Sequence, residues 1–555
     1  MQVQRGIMPF LSKSKYLSGL QCSKVLWHLY NAKELLPPVD ESTQAIFDQG
    51  HLVGKLAKTL FPGGIEVVGE AGDFSGLFRN TGDALVHRRP VFEATFKYKD
   101  GFCRVDVLVP VAGKRFTAKD AKSAEDAKKE MREKRDRDEL WDIVEVKSST
   151  QVKDVNLHDM ALQRYVVEGS GVRVRKCFLM FINNEYVRKG EEELWGRISR
   201  PPAHMRSEKR RAGKDAMTAK DAKEIEKLFK REDITDQVAE LLPDVPHKLA
   251  AMKTVIAQRS SPEIKIGPHC DDPYECIMKE ICWKFVPEDS PLSLYRFKKE
   301  KAFELVNNGV LSASRLPDDV ELNEKQEIQV RALKTGKAIV DSDAIQAFLK
   351  KLAYPLFFLD FETFMTAVPM YDGVRPYQQV PFQFSLHTQR KFDEKLEHHS
   401  WIAPGNEDPR PELLKRLRKL LEKSGSIAAY NASFEIGRLK EAAVVYPEFE
   451  SWVSEVEERV VDLLAPFRGF AYYHPKQHGS ASIKSVLPAL VGKTYEGMEI
   501  SEGGEASREY MRVTFGDVSN AEQKKVRAAL EEYCAQDTMA MVEIVKALKD
   551  LLGEM

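Results

Sequence analysis

The segment Tyr354-Pro-Leu-Phe-Phe-Leu-Asp-Phe-Glu-Thr-Phe364 decides the fold of the C-terminal part of the chain. Its short apolar run, which begins after Pro355, is typical of a buried β-strand. Side chains two residues apart in a strand lie on the same face, so Asp360 and Glu362 point to one place. Two carboxylates so close repel each other unless a cation lies between them, and such oxygen ligands suit Mg²⁺ or Mn²⁺. The alternative is a strand that runs into an acidic, solvated loop.

Two further acidic patterns follow this strand. Asn431-Ala-Ser-Phe-Glu435 opens a predicted helix directly after the apolar run at 427–430. A long predicted helix at 521–552 carries Tyr533 and Asp537, which lie four residues apart and therefore on one helical face. The C-terminal part thus carries several carboxylates on a strand and two helices of one predicted α/β domain.

These motifs resemble, in order and spacing, those of the DEDD 3′–5′ exonucleases, which have a ribonuclease-H-like fold. The residues carried over are Asp360, Glu362, Glu435, Tyr533 and Asp537. The resemblance, closest to the tyrosine subclass, implies that Asp360, Glu362 and Asp537 bind metal and that Tyr533 orients the attacking water. The family's second motif ends in Asp, where this chain has the longer Glu435. Hydrolysis by two metals about 4 Å apart needs several carboxylates at one point.

A second pattern of charged residues lies on two predicted strands in the N-terminal part. A hairpin turn at Lys99-Asp-Gly101 leads into the strand that carries Asp106. Glu145 and Lys147 share one face of a later strand, again because they are two residues apart.

This order is similar to that of the PD-(D/E)XK nucleases, and in particular to their RecB-like branch. The resemblance implies that Asp106 and Glu145 hold a metal, while Lys147 steadies the attacking water or the charge that develops on the phosphate. Three other residues fit the same branch: Gln163 and Tyr165 on the following helix, and His51 on an upstream helix as a metal ligand.

Four cysteines flank this N-terminal pattern. Cys22 lies in the first predicted helix, and Cys270, Cys276 and Cys282 form a C-x₅-C-x₅-C run. This arrangement is similar to the iron–sulfur nucleases of the RecB-like branch, including the CRISPR-adaptation exonucleases, whose usual run is C-x₂-C-x₅-C. The resemblance implies that a [4Fe–4S] cluster holds the two ends of the domain together. The alternative is Zn²⁺ bound by three cysteines and His269.

Length and composition indicate the class of protein in which these motifs occur. At 555 residues the chain is too long for one core, so about two to four domains are expected. No apolar stretch approaches the ~20 residues of a membrane span, and the N-terminus lacks the apolar region of a signal peptide. We therefore expect a cytoplasmic protein without membrane contact, in which clustered cysteines bind metal. The net charge of −1 gives no argument for nucleic acid, and the basic stretch 197–214 is either a phosphate contact or a solvated loop.

The chain as a whole resembles a bacterial family that joins a RecB-like iron–sulfur domain to a DEDD exonuclease domain. We therefore expect an α/β protein with a nuclease domain at 1–288, a helical connector at 289–352 and an exonuclease domain at 353–555. The implied function is metal-dependent hydrolysis of phosphodiester bonds at nucleic-acid ends, with DNA expected ahead of RNA. Two alternatives remain: an N-terminal domain that only clamps nucleic acid, and a nucleic-acid-binding protein without catalysis.

Overall fold

The computed structural model describes residues 10–70, 73–111, 139–190, 219–405 and 407–553, without the side chains of 219 and 220. The basic stretch 197–214 lies outside these residues. The described chain forms two compact units. Unit 1 contains the residues up to Tyr186 and those from 219 to Cys282, and unit 2 contains 187–190 and everything from Trp283 onward. No helix in the described ranges is long and apolar enough to cross a membrane.

Unit 1 is built on a six-stranded mixed sheet. Its strands are β1 (Ile65–Glu66), β2 (Val91–Tyr98), β3 (Gly101–Pro110), β4 (Leu140–Lys147), β5 (Arg173–Ile182) and β6 (Phe229–Asp233). Its helices are α1 (Lys13–Gln21), α2 (Ser23–Asn31), α3 (Glu41–Thr59), α4 (Phe74–Val86), α5 (Asp154–Gly169), α6 (Ala219–Lys227), α7 (Thr235–Leu241), α8 (Val245–Ile256) and α9 (Lys279–Cys282). The strands lie in chain order; β1/β2 and β4/β5 are parallel and the other neighbours are antiparallel.

The predicted hairpin of unit 1 is confirmed, because β2 and β3 pair up to Tyr98 and Gly101 on either side of the turn. Apolar side chains of β3 and β4, such as Val105 and Ile143, are buried in one core with Leu162 of α5. The apolar positions thus anchor the sheet, and Glu145 and Lys147, which follow Ile143 at two-residue steps in β4, come to the face that α5 covers.

Unit 2 is built on a five-stranded mixed sheet. The unit also has a separate pair of strands, β7 (Ile339–Val340) and β13 (Tyr472–Tyr473). The five strands of the sheet are β8 (Leu356–Phe364), β9 (Val380–Gln389), β10 (Glu397–Ile402), β11 (Ser426–Ala429) and β12 (Val460–Asp462). Its helices are α10 (Lys299–Asn307), α11 (Glu324–Thr335), α12 (Ser342–Leu349), α13 (Arg410–Leu420), α14 (Ser433–Val445), α15 (Glu450–Glu457), α16 (Ala465–Arg468), α17 (Ile483–Leu490), α18 (Gly503–Phe515) and α19 (Asn520–Leu551).

The strand β8 occupies the middle of the sheet, whose order is β10-β9-β8-β11-β12. It is antiparallel to β9 and parallel to β11. Phe358 and its neighbours on one face pack under α18 and α19, while Phe357 and Leu359 pack on the other face against α13, α14 and α15. A strand covered on both faces needs a continuous apolar run, which is the reason for the pattern in 354–364.

The predicted connector at 289–352 contains α10, α11 and α12, but also one strand. This strand, β7, pairs antiparallel with β13. Leu294, Ala313 and Val330 form a small core of their own. The segment therefore belongs to the fold of unit 2, because its backbone completes a ladder with residues far along the chain.

A glycine fixes the approach of β11 to the start of β8. Gly425 has φ +89°, and a Cβ atom there would lie 2.1 Å from the Pro355 carbonyl oxygen. We expect Gly425→Ala to lower the free energy of unfolding of unit 2 by roughly 2–4 kcal/mol, through backbone strain and displacement of β8. Urea unfolding measures this loss.

The matched control for Gly425 is Gly336→Ala. Gly336 also has a positive φ, +67°, but nothing lies within 4 Å of a Cβ atom there. This variant should lose only the conformational contribution, about 1 kcal/mol. Equal losses in both variants would show that the contact with Pro355 does not constrain the sheet.

Candidate functional sites

The central strand of unit 2 and two of its helices bring four carboxylates to one place. Asp360 and Glu362 extend from β8 toward the face covered by α19, which carries Asp537, and Glu435 lies in the first turn of α14. Carboxylate oxygens of Asp360 and Glu362 and the Cys534 sulfur lie within 4.8 Å of one another. Among the described residues this is the only group of three His, Cys, Asp or Glu side chains that meets this criterion.

Burial perturbs all four carboxyl groups, and repulsion from neighbouring carboxylates of the group adds to its effect on Asp360 and Glu362. Burial raises the pKa of Asp360 well above its usual value, and the charges of Asp537, Glu362 and Glu435 raise it further. Burial also raises the pKa of Glu362 to about 8, that of Glu435 to about 8 and that of Asp537 to about 6. Such shifts mark a desolvated acidic site that gains free energy from a bound cation.

Asp462 holds the start of α14, and thereby Glu435, in position. Its Oδ1 accepts hydrogen bonds from the backbone N–H groups of Asn431 at 3.0 Å, Ala432 at 3.4 Å and Leu464 at 3.0 Å. Asn431 has φ +75°, so the turn into α14 lies in the left-handed region that Asn tolerates. Asp462 therefore has a structural role at the start of α14.

One oxygen of Glu435 has no partner in the described part of the chain. The side chain is buried, and its Oε2 atom is enclosed without a hydrogen bond. An unsatisfied buried carboxylate oxygen is costly, and such an atom in a folded protein requires an explanation. A cation held together with the neighbouring carboxylates provides one.

Two tyrosines and a lysine complete the acidic group. Tyr495 donates a hydrogen bond of 2.6 Å to Asp537 Oδ1, and Tyr533 also hydrogen-bonds to Asp537. Lys484 Nζ lies 5.2 Å from the ring centre of Tyr533 and 5.6 Å from that of Tyr495, and its charge lowers the pKa values of Glu362 and Asp537. Sequence reasoning identified Tyr533 but missed Tyr495, because a single tyrosine in an irregular stretch carries no pattern.

Unit 1 places Asp106, Glu145 and Lys147 together on its sheet, as their predicted strands required. The Val146 N–H donates to Asp106 Oδ2 at 2.8 Å, and Lys147 Nζ donates to Glu145 Oε1 at 2.8 Å. Burial and the charge of Glu145 raise the pKa of Asp106. Gln163 Nε2 donates to Glu145 Oε2 at 2.9 Å, so this predicted residue also belongs to the group.

Two residues that the sequence did not single out join this group. Lys13 of α1 donates to Glu145 Oε1 at 2.8 Å and to Oε2 at 3.1 Å. Asp159 of α5 accepts from Lys147 at 2.7 Å and from Gln163 at 3.0 Å. Burial opposes the ionised form of Glu145, but the charges of Lys13 and Lys147 outweigh it and hold the pKa of Glu145 well below its usual range. The spacing of Asp159 and Gln163, four residues on one helix, could have identified Asp159.

Two other predicted residues of unit 1 lie elsewhere. Tyr165 follows Gln163 by two residues on α5, and side chains two apart on a helix point in different directions. The Tyr165 ring therefore packs elsewhere, with its centre 5.3 Å from that of Tyr98. His51 is exposed on α3 and forms no group of three ligand atoms within 4.8 Å with Asp106 and Glu145. The role of His51 as a metal ligand stays a prediction.

The four cysteines of the predicted cofactor site line one pocket of unit 1. Cys22 ends α1, Cys270 and Cys276 are buried, and Cys282 ends α9. His269 lines the same pocket, with Nε2 3.8 Å from the Cys270 sulfur. Burial raises the pKa of the Cys276 thiol, and the other three cysteines raise it further. All seven cysteines of the chain are free thiols, so this group is not paired by disulfides.

A family model described as "Domain of unknown function (DUF2779)" matches residues 357–482. The match contains Asp360, Glu362 and Glu435 and ends before Tyr533 and Asp537.

Two curated relatives cover more of the chain. The "Uncharacterized protein MG366 homolog" of Mycoplasma pneumoniae is 24% identical over 266 residues, which are 44% of this chain and 40% of the relative. The "Uncharacterized protein MG366" of Mycoplasma genitalium is 25% identical over 224 residues, which are 36% of this chain and 33% of the relative. The aligned part of this chain thus spans two fifths or less of either relative's length. Neither name states an activity.

The raised pKa of Glu362 predicts a stability that falls as the pH rises. An unfolded Glu releases its proton near pH 4.3, whereas folded Glu362 releases it near pH 8, so between these values the folded state binds the extra proton. In EDTA, Glu362→Gln should therefore raise the free energy of unfolding by only about 1 kcal/mol at pH 5. At pH 8 the substitution should raise the free energy of unfolding by on the order of a few kcal/mol. Urea unfolding at both pH values measures this.

The control for this pH dependence is Glu412→Gln. Glu412 accepts from Arg416 at 2.8 Å on the surface of α13, where an ion pair contributes little. Its effect should be small at either pH. If Glu362→Gln were equally neutral at pH 8, Glu362 would not be strained by burial among like charges.

Proposed function

We propose that this chain is a metal-dependent nuclease that degrades nucleic acid from 3′ ends at the acidic group of unit 2. A second phosphodiester-cleaving site lies in unit 1, and a [4Fe–4S] cluster at the four cysteines stabilises that unit. The proposal rests first on the buried carboxylates of unit 2, which belong to motifs in the order of the DEDD exonucleases. The central strand that carries two of them, in a mixed sheet with helices on both faces, supports a ribonuclease-H-like fold.

The acidic group of unit 2 fits divalent cations by the chemistry of its donors. Asp360, Glu362, Glu435 and Asp537 offer hard oxygen ligands, for which Mg²⁺ and Mn²⁺ are suited. The unpartnered Oε2 of Glu435 is the observation that carries this assignment. Glu435 is longer by one methylene than the Asp of the family motif, and its free oxygen supports a ligand role despite that difference. Bound cations would lower the pKa of a water and neutralise charge on the leaving oxygen.

The chain's own side chains would order the reacting groups. Tyr495 and Tyr533 hold Asp537 by hydrogen bonds, so that its carboxylate keeps one orientation. Tyr533 lies at the edge of the acidic group, where the family resemblance assigns it the attacking water. Lys484 places a positive charge beside both tyrosine rings without an ion pair to the carboxylates, and it is suited to attract a phosphate.

The charged group of unit 1 supports a second site of PD-(D/E)XK type. Asp106 and Glu145 are close enough to share the Lys13 ammonium group, which lies 4.0 Å from Asp106 Oδ1 and 2.8 Å from Glu145 Oε1. The two carboxylates would hold the cation, and Lys147 would face the phosphate. The same contacts of Lys13 also favour the alternative in which unit 1 only clamps nucleic acid, because two lysines already neutralise Glu145.

The cysteine pocket of unit 1 fits a cofactor larger than a single metal ion. No three of its sulfurs lie within 4.8 Å of one another. Around one Zn²⁺ ion with bonds of about 2.3 Å, tetrahedral sulfurs would lie roughly 3.8 Å apart. The wider spacing supports an iron–sulfur cluster ligated by Cys22, Cys270, Cys276 and Cys282, and leaves His269 as a neighbour rather than a ligand.

Removal of either a strand ligand or a helix ligand should abolish degradation from the 3′ end. We expect Asp360→Asn and Asp537→Asn each to lower the rate at least about 100-fold in Mg²⁺ or Mn²⁺, because one carboxylate fewer leaves the cation incompletely held. The assay uses 3′-labelled and 5′-labelled single-stranded DNA and RNA, which also identifies the preferred nucleic acid. Undiminished degradation in both variants would reject the exonuclease proposal.

The same assay separates the second site from the clamp. In the Asp360→Asn background, residual cleavage that disappears with Glu145→Gln or Lys147→Met assigns catalysis to unit 1. If the Asp360→Asn chain still binds the oligonucleotide but cleaves nothing, unit 1 is a clamp. Glu412→Gln, which changes an exposed residue of α13 that pairs with Arg416, serves as the unaffected control.

The protein purified without oxygen should be brown, with broad absorbance near 400 nm. We expect Cys22→Ala to remove this absorbance and to lower the melting temperature of unit 1 by several degrees, since a cofactor shared by Cys22 and Cys270 closes a long loop. The activity that depends on Asp360 should remain. Absorption spectra, iron content and calorimetry measure these effects.

The matched control for the cluster is Cys177→Ala. Cys177 is fully buried in β5 and is not part of the pocket, so the variant should keep its colour and iron. A colourless wild-type protein with one zinc per chain would instead assign the pocket to Zn²⁺.

A further inference from the structure

Lys13 lies where a divalent cation would bind in unit 1. Its Nζ atom contacts both oxygens of Glu145, at 2.8 and 3.1 Å, and lies 4.0 Å from Asp106 Oδ1. These are the two carboxylates to which the proposed function assigns the metal. A cation that binds both must therefore take the place of the ammonium group on Glu145.

The structure holds Lys13 in this position from both ends of α1. Before the helix, the Leu11 N–H donates to the Asp100 carbonyl at 2.8 Å, and the Phe102 N–H donates to the Leu11 carbonyl at 2.9 Å. At its end, Gln21 Nε2 donates to the carbonyls of His269 at 2.9 Å and Tyr274 at 2.7 Å. The backbone of α1 is thus fixed on both sides, and the Lys13 side chain, only 22% exposed, is directed into the site.

The contact between Lys13 and Glu145 changes the net charge of the site. Three carboxylates, those of Asp106, Glu145 and Asp159, face two ammonium groups, those of Lys13 and Lys147. The formal net charge of these five groups is −1, and without Lys13 it becomes −2. Attraction for a divalent cation grows with the negative charge of its site, so the lysine opposes metal binding.

We propose that Lys13 is a built-in competitor of the divalent cation at the Asp106–Glu145 site. Metal binds in unit 1 only when the Lys13 ammonium group leaves Glu145, so this site takes up metal more weakly than its carboxylates alone would. Among the described residues of unit 2, no lysine competes in this way at the acidic group, because the Lys484 ammonium group lies over two tyrosine rings and bonds to the Ser501 carbonyl oxygen. The inference rests on the metal site that we propose for unit 1, and it adds that Lys13 limits how far metal occupies that site.

The test measures Mn²⁺ affinity rather than cleavage. The full chain carries Asp360→Asn and Asp537→Asn, which removes binding in unit 2, and free Mn²⁺ is followed by electron paramagnetic resonance during titration. Lys13→Met keeps the length of the side chain without its charge and should tighten binding at least about tenfold. Lys13→Arg keeps the charge and should stay within about twofold of Lys13. Lys13→Gln, a second neutral variant, should behave as Lys13→Met does.

The matched control is Lys15→Met on the same helix. The Lys15 ammonium group lies 4.0 Å from the centre of the Tyr30 ring and so points away from Glu145. Its removal should leave the Mn²⁺ affinity unchanged. Adding Glu145→Gln to the Lys13→Met chain should abolish the gain and thereby locate the bound Mn²⁺ in unit 1.

Two results would overturn the inference, and they have different meanings. If Mn²⁺ binds to the chain with Lys13 and the neutral variants bind it no more tightly, the metal site stands but Lys13 does not compete for it. If neither Lys13 nor its neutral variants allow Mn²⁺ binding that depends on Glu145, the metal site proposed for unit 1 fails as well. Melting curves of each variant confirm that unit 1 is folded.

Discussion

Burial of like charges is the constraint on which the candidate sites of this protein depend. In unit 2, the central strand carries Asp360 and Glu362 into a space closed by α19, where Asp537 and Glu435 meet them. The cost of ionising these groups together appears as pKa values raised far above those of solvated carboxyl groups. A cation bound among these groups would offset the repulsion, so the metal that we propose for unit 2 would also stabilise the unit.

The two units meet this constraint in different ways. Unit 1 supplies its own cations, since Lys13 and Lys147 both donate to Glu145 and hold it ionised. The described residues of unit 2 give its carboxylates no ion pair of that kind, and one oxygen of Glu435 lacks a partner among them. On the proposals made above, the first arrangement resists metal binding, whereas the second favours it. Their chemistry would therefore respond differently to the concentration of divalent cations.

The helix α1 connects two features of unit 1 that lie far apart in the sequence. Lys13 at its start contacts the carboxylates of the sheet, and Cys22 at its end lines the cysteine pocket with residues about 250 positions later. A rigid helix of nine residues transmits a displacement of either end to the other. Loss of the proposed cofactor from the pocket would for this reason displace α1 and change the position of Lys13 at the carboxylates.

Local periodicity in the sequence determined the elements and much of the acidic group. The apolar run before Asp360 required a buried strand, alternation placed Glu362 on the same face, and a spacing of four put Tyr533 beside Asp537. The same reasoning gave the strands of Asp106 and Glu145, because strand and helix periods depend only on neighbouring residues. Only the tertiary structure decided which distant side chains complete each site. Lys13, Asp159 and Tyr495 reach the carboxylates through packing of separate elements, and the strand β7 exists only because β13 pairs with it. Contacts between residues far apart in the chain leave no local pattern, since they depend on how whole elements pack and not on the order of residues within one.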